Sequence, residues 1–216
     1  MNTWLSWELD EFAFPMLTGK ARELYHHLGL VHEFLPILSR AGEALLREYQ
    51  VPIYETLKDM AAHDDRYAIG WLLRECPFLE LDGYYDGCTA LGVAAREGAL
   101  NAMDELWHRG AGSNLCIGLN MDALEFCWQY DVPEEAVRSV FRHGAPVELQ
   151  GVLTLLYEEE YALLRMVLEE SRPEQICGKG VGFLIEAIHD YLCQGYGLYD
   201  TLPSMEKSMA LLEEFL

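Results

Sequence analysis

The sequence predicts an all-α solenoid. Helix–turn–helix units stack along one axis, with a helical N-terminal cap and a C-terminal capping helix. Three observations predict it. The first is a shared internal ruler: Leu57 and Leu72, Leu91 and Leu106, and Leu153 and Leu168 are each 15 positions apart, and Leu124 and Val140 are 16 apart. The leading leucines follow one another at 34, 33 and 29 residues. Self-similarity at a fixed period of roughly 30 residues marks units that bury their apolar faces by stacking. The second is the placement of small residues. In DGCTALGVAAREGALNAMDELWHRGAGSN (86–114), glycines fall where helices must stop and alanines where helices must approach. The third is that the segment before residue 50 is helix-periodic yet off the ruler, as an atypical terminal unit should be.

The elements follow in order. Residues 1–49 form a helical cap, broken by Gly29 and Pro36 and by Gly42, with Trp4, Trp7, Phe12 and Phe14 packed on it. Residues 50–172 hold four divergent units, each of two short helices. In the clearest one, the Thr89 hydroxyl caps the first helix by accepting from a free N–H of its first turn. Leu91, Ala94 and Ala95 make the buried stripe. Gly98 ends that helix in the left-handed conformation, which lacks a Cβ penalty only for glycine. The second helix runs from about Leu100 to His108, with Met103, Leu106 and Trp107 inward, and Gly110 ends it. In the third unit, Val132-Pro133 is the expected inserted step that lengthens the ruler by one. In the turn between helices, Asp64, Asp131 and Glu160 occupy the place of Gly98. Residues 173–216 form a fifth, degenerate unit starting near Leu184-x-x-Ala187, then a tyrosine-containing loop and a closing helix over 204–216.

Residues 86–114 resemble the ankyrin repeat. Asp86-Gly87-x-Thr89-Ala90-Leu91 is similar to the family's D-G-x-T-P-L hairpin and helix start. Ala94-Ala95-x-x-Gly98 matches its A-A-x-x-G turn, and Leu106-x-x-x-Gly110-Ala111-x-x-Asn114 its L-x-x-x-G-A-D-x-N close. Gly92 stands where the family has a hairpin-bracing His, and Gly112 stands in place of Asp. Met60 and Cys127 replace the first alanine of the turn motif. The resemblance implies four or five divergent ankyrin-like repeats and a concave, protein-binding face.

Composition narrows the function. The chain has 36 Asp and Glu against 15 Lys and Arg, a net charge of −21. Residues 151–216 alone carry 12 acids against 4 basic residues. Such a charge disfavours nucleic acid and anionic membranes and favours a basic protein partner. The N-terminus, MNTWLSWELDEF, has no basic n-region, and no uncharged apolar run approaches the roughly 18 residues of a membrane span. The expected location is the cytoplasm. Six cysteines, at 76, 88, 116, 127, 177 and 193, form no CxxC pair or zinc spacing and read as small buried hydrophobes.

Catalytic patterns are sparse. HExxH, GxSxG, P-loop and GxGxxG motifs do not occur, and CGKGVG at 177–182 lacks the P-loop spacing. Asp64-Asp65 and Glu158-Glu159-Glu160 read as solvated acidic turns, because adjacent helical residues point in different directions. No catalytic residue, metal site or cofactor is expected, and an enzyme ranks below a binding protein.

The family's hairpin tips and first-helix ends face its concave surface, so the resemblance implies where a partner would sit. Those positions are Tyr84, Tyr85 and Asp86 at a hairpin tip, then Arg96 and Glu97, Gln129 and Tyr130, and Glu158 and Glu159 at successive helix ends. Ala62 and His63 are the first unit's counterparts. For Tyr84, packing on the neighbouring hairpin is an equal alternative. Tyr85 and Tyr130 are the expected anchors, and Glu97, Glu158 and Glu159 the charge complements. Small free-standing ankyrin proteins of bacteria resemble neutralising partners of toxins. The resemblance therefore implies an immunity protein, or antitoxin, that binds a basic toxin enzyme and inhibits it. A scaffold or adaptor is the alternative.

Overall fold

A computed structural model describes residues 50–75, 77, 79–82, 87–117, 121–193 and 205–216. The expected N-terminal cap, the hairpin tip at 83–86 and most of the tyrosine loop before residue 205 lie outside the described residues. The described chain is all-α. Its helices are α1 (Gln50–Ala62), α2 (Arg66–Glu75), α3 (Ala90–Arg96), α4 (Leu100–His108), α5 (Ala123–Gln129) and α6 (Glu134–Arg142). They continue as α7 (Leu149–Tyr157), α8 (Tyr161–Glu170), α9 (Val181–Cys193) and α10 (Met205–Glu213), with one 3-10 turn at Pro173–Gln175. Two-residue strands β1 (Gly87–Cys88) and β2 (Cys116–Ile117) pair antiparallel.

Odd and even helices build two rows. Helix α1 packs on α3, α5 on α7, and α7 on α9; α2 packs on α4, then α4 on α6, α6 on α8, and α8 on α10. Between the rows, α1 meets α2, α3 meets α4, and α7 meets α8. The core follows the ruler: Leu57, Leu72, Leu91, Leu106, Leu124 and Val140 are all buried in one cluster.

The turns between paired helices share one closure. The N–H of Asp65 donates to Met60 O (3.1 Å), Ala99 to Ala94 O (2.8 Å), Val132 to Cys127 O (3.0 Å) and Glu160 to Leu155 O (2.8 Å). Each is the long bond of a Schellman close, which requires a left-handed residue just before the donor. That residue is Asp64 (φ 56°), Gly98 (φ 67°), Asp131 (φ 49°) and Glu159 (φ 58°). Helix α6 starts one residue later relative to this closure than α2, α4 and α8 do, with Pro133 as its N-cap. Val132-Pro133 is therefore the inserted step.

The closure also corrects the register of the fourth unit. Leu155 stands where Ala94 stands, so the leading position is Val152, one residue before Leu153, and its ruler partner is Val167. The left-handed residue is Glu159 and not Glu160. Leu153 and Leu168 are buried as well. A run of apolar residues on both sides of the seam hid the one-residue slip.

Glycine at position 92 has a direct cause. A Cβ there would lie 1.9 Å from the carbonyl oxygen of Leu115. That carbonyl accepts from the Thr89 N–H at 3.0 Å, continuing the β1–β2 ladder into the start of α3. Thr89 also caps α3 through the Gly92 N–H (2.9 Å), and its hydroxyl donates to Asn114 O at 2.8 Å. The backbone passes so close to α3 that no side chain fits. Gly112 is similar: its N–H is held by both carboxylate oxygens of Asp82, each at 3.0 Å, and a Cβ would meet Asp82 Oδ2 at 2.8 Å.

Polar links tie consecutive units. The Tyr54 hydroxyl donates to Leu81 O (2.9 Å) and accepts from the Ala90 N–H (3.2 Å). Asp64 accepts from Asn101 Nδ2 (2.6 Å) and the Ala102 N–H (2.8 Å), so one turn caps the next even helix. Trp107 on α4 stacks on His143, the C-cap of α6, with ring centroids 3.8 Å apart and planes 5° off parallel. Glu105, 6% exposed, is held by Arg66 (3.3 Å) and Arg109 (2.9 Å). Further along, Glu170 of α8 binds Arg138 (3.0 Å) and Arg142 (2.9 Å) of α6, and Arg165 binds Glu214 (2.6 Å) after α10.

The two guanidiniums beside Glu170 hydrogen-bond its carboxylate and hold its pKa below the ordinary glutamate range. A depressed carboxylate contributes stability that is present above its unfolded pKa and lost as pH falls through the folded one. Glu170→Gln should therefore be less stable than the parent at neutral pH. The gap should close on acidification below about pH 4.3, the ordinary glutamate value, in urea titrations at stepped pH. A gap that persists in acid would mean that packing, not the ion pairs, joins α6 to α8.

Candidate protein-binding surface

The turns between odd and even helices are brought side by side. Asp64 of the first turn reaches the start of α4, and a Cβ on Gly98 of the second would lie 3.1 Å from Pro133 Cγ, at the start of α6. The edge is built by the Schellman closures: each reverses the chain at the same point of its unit, and the ends of the odd helices at Arg96-Glu97, Gln129 and Tyr157-Glu158 are exposed.

The sequence-predicted residues divide on this edge. Tyr84, Tyr85 and Asp86 lie outside the described residues. Arg96 ends α3 and Glu97 caps it; both are exposed, and the Arg96 guanidinium binds Glu97 Oε1 at 3.0 Å. The pair is self-neutralising and offers a partner no net charge. Gln129 is exposed at the end of α5. Tyr130, the C-cap, is half-buried, its ring tilted 44° against Phe126 at 4.6 Å. The ring is thus partly packed against the core, and only part of it is open for recognition. Glu158 caps α7, and Glu159 takes the left-handed turn; both are exposed.

The corrected register identifies a residue that sequence reasoning missed. Arg96 and Glu97 are two and three positions beyond Ala94, so the counterparts beyond Leu155 are Tyr157 and Glu158. Tyr157 is 42% exposed, among the most exposed large apolar side chains of the described chain. A tyrosine at an exposed helix end was visible in LTLLYEEE, but the slipped ruler placed it inside the helix.

Charge along the edge is uneven. Asp64 and Asp65 are committed to caps, the latter accepting from the Ala68 N–H at 2.9 Å. Glu134 binds Arg138 at 2.8 Å. By contrast, Asp131, Glu135, Glu158, Glu159 and Glu160 are exposed and form no ion pair among the described residues. Meanwhile Arg66, Arg109, Arg138, Arg142 and Arg165 are spent on Glu105, Glu170, Glu134 and Glu214, largely between even helices. Asp131, Glu135 and Glu158 to Glu160 are therefore the edge's uncompensated acids among the described residues, with Tyr130 and Tyr157 beside them.

Among the described residues, no group of three or more His, Cys, Asp or Glu side chains is placed to hold a metal ion. No described helix is long and apolar enough to cross a membrane. Comparison with protein-family models, curated proteins and solved structures finds no match to this chain.

Proposed function

We propose that this chain is a divergent ankyrin-type binding protein of the immunity class, which captures a basic toxin enzyme and blocks it stoichiometrically. The observation that carries the reading is the acidic edge: Asp131, Glu135, Glu158, Glu159 and Glu160 form no ion pair among the described residues, Tyr130 and Tyr157 lie beside them, and Arg66, Arg109, Arg138, Arg142 and Arg165 are engaged by other acids. Such an edge draws in a basic partner by long-range steering, and the aromatic rings supply the desolvated contact that holds it. A cytoplasmic location fits this role, since the protein would meet an incoming enzyme there. The ankyrin assignment is supported by the four shared turn closures and by the motif in 86–114.

The test begins with capture from native lysate. The expected result is a one-to-one complex with a basic enzyme whose activity falls as the complex forms. The double reversal Glu158→Lys and Glu159→Lys should then slow association about tenfold and flatten its salt dependence. Dissociation should change less. Association that is unchanged by the reversal would remove the edge as the binding surface. A captured partner that is neither basic nor inhibited would favour an adaptor instead.

A further inference from the structure

Of the four cysteines with described side chains, Cys127 alone is in the core, where burial pushes its thiol up to about 12. Cys88 and Cys116 behave differently. Both are half-buried and free, and they are direct partners across β1 and β2. The register fixes their geometry. Thr89 and Leu115, one step along, form a hydrogen-bonded pair through the Thr89 N–H. By alternation, Cys88 and Cys116 form a non-hydrogen-bonded pair, whose Cα atoms approach to about 4.5 Å with side chains on the same face. That separation lies within the range a disulfide spans, about 4.4–6.8 Å. The thiols also feel each other: Cys116 is raised by burial first and then by a negative charge on Cys88. Its hydrogen is directed to Met121 O at 3.4 Å.

We propose that Cys88 and Cys116 form a redox modification site, in which a hydroperoxide converts the two thiols into one cross-strand disulfide. The Cys88 thiolate attacks one peroxide oxygen, the O–O bond breaks, Cys88 becomes a sulfenic acid, and the leaving hydroxide takes up the proton the thiol lost and departs as water (with an alkyl hydroperoxide the leaving alkoxide departs as the alcohol). The Cys116 sulfur then attacks the sulfenyl sulfur, the S–O bond breaks, and a second water leaves. Two electrons pass from the thiols to the peroxide. The Cys116 S–H is donated to Met121 O and burial raises its pKa, so the first attack is assigned to Cys88 and the resolving step to Cys116. The bond would cross-link the segments before α3 and before α5, the joint between the second and third units.

The experiment treats the native full chain with hydrogen peroxide, blocks remaining thiols, and digests with trypsin and chymotrypsin, which cut between Cys76 and Cys88 and between Cys116 and Cys127. The expected result is one dominant linked peptide joining Cys88 to Cys116, reversed by reductant, with Cys127 still free. In Cys116→Ser, Cys88 should accumulate as a dimedone-trapped sulfenic acid instead. Thermal unfolding of that variant checks that its fold persists, and the wild-type peptide map stands by itself if it does not. Linkage spread over other pairs, or over-oxidation of Cys88 in the wild type without a link to Cys116, would overturn the proposal.

Discussion

Replacing Gly92 by Ala should destabilise the protein by about 3 kcal/mol, the sum of overpacking and of weakened hydrogen bonds at Thr89. The new methyl would stand 1.9 Å from the Leu115 carbonyl oxygen, which is backbone and cannot rotate away as a side chain would. Relief requires α3 to move off the β2 segment. That movement strains the Thr89 N–H bond to Leu115 and the hydroxyl bond to Asn114 together. Gly87→Ala is the control. It has φ 81°, yet a Cβ there meets nothing within 4 Å. It should lose only the left-handed penalty, about 1–2 kcal/mol. Urea unfolding of the two variants separates contact from conformation. If Gly92→Ala is no worse than Gly87→Ala, the close approach of the hairpin to α3 contributes nothing.

Asp122 should be the most costly side chain to remove at a unit boundary. Its Oδ1 accepts from the Leu124 and Glu125 N–H groups, both at 2.8 Å, which caps α5, and Glu125 completes a capping box. Its Oδ2 accepts from the Gly151 N–H, also at 2.8 Å, at the start of α7 in the next unit. Gly151 is buried, and a Cβ there would lie 2.5 Å from the carboxylate. Asp122→Ala removes a cap and strands a buried N–H, a loss of about 2–4 kcal/mol. Asp122→Asn divides the two roles. Its amide oxygen still caps α5, while its NH₂ faces the Gly151 N–H donor to donor. The Asn variant should keep the cap and lose the link, falling between the parent and Ala in denaturant midpoint. An Asn variant as stable as the parent would show that the link to α7 is dispensable.

Burial raises the Asp122 pKa despite these bonds, which has a definite sign. A raised carboxylate binds its proton more readily when folded. Its own contribution to stability therefore grows as pH falls from the folded toward the unfolded pKa, the reverse of Glu170. The two residues oppose each other in acid, and only the Glu170 arm weakens there.

Much of the architecture was legible from residue spacing. Leucines at a constant interval report buried ridges because stacking gives each unit the same environment. Gly98 and Gly110 report helix stops because their left-handed φ is backbone chemistry, independent of the neighbours. Asp64 and Asp131 could be equated with Gly98 on the same ground, since short polar side chains tolerate that conformation. The fourth unit was misread by one residue because VLTLL offers two leading positions of equal hydrophobicity, Val152 and Leu153, both buried. Only the turn closure at Glu160 distinguishes them.

The proposed site was less legible, and the reason is partner choice. Arg96 and Glu97 looked like two exposed charges, but they face each other. Tyr130 looked like a free anchor, but it is half-buried and its ring packs at a tilt against Phe126. The Cys88–Cys116 pairing needs a strand register that no spacing of 28 residues can specify.

By itself, then, the sequence determined a helical array, its stop positions and its excess negative charge, because each is a local property or a simple sum. Tertiary structure alone decided which acids are neutralised, which ring is left exposed, and why Gly92 and Gly151 must be glycine. Those outcomes depend on distances between units, where a carbonyl or a carboxylate from elsewhere in the chain occupies the space a side chain would need.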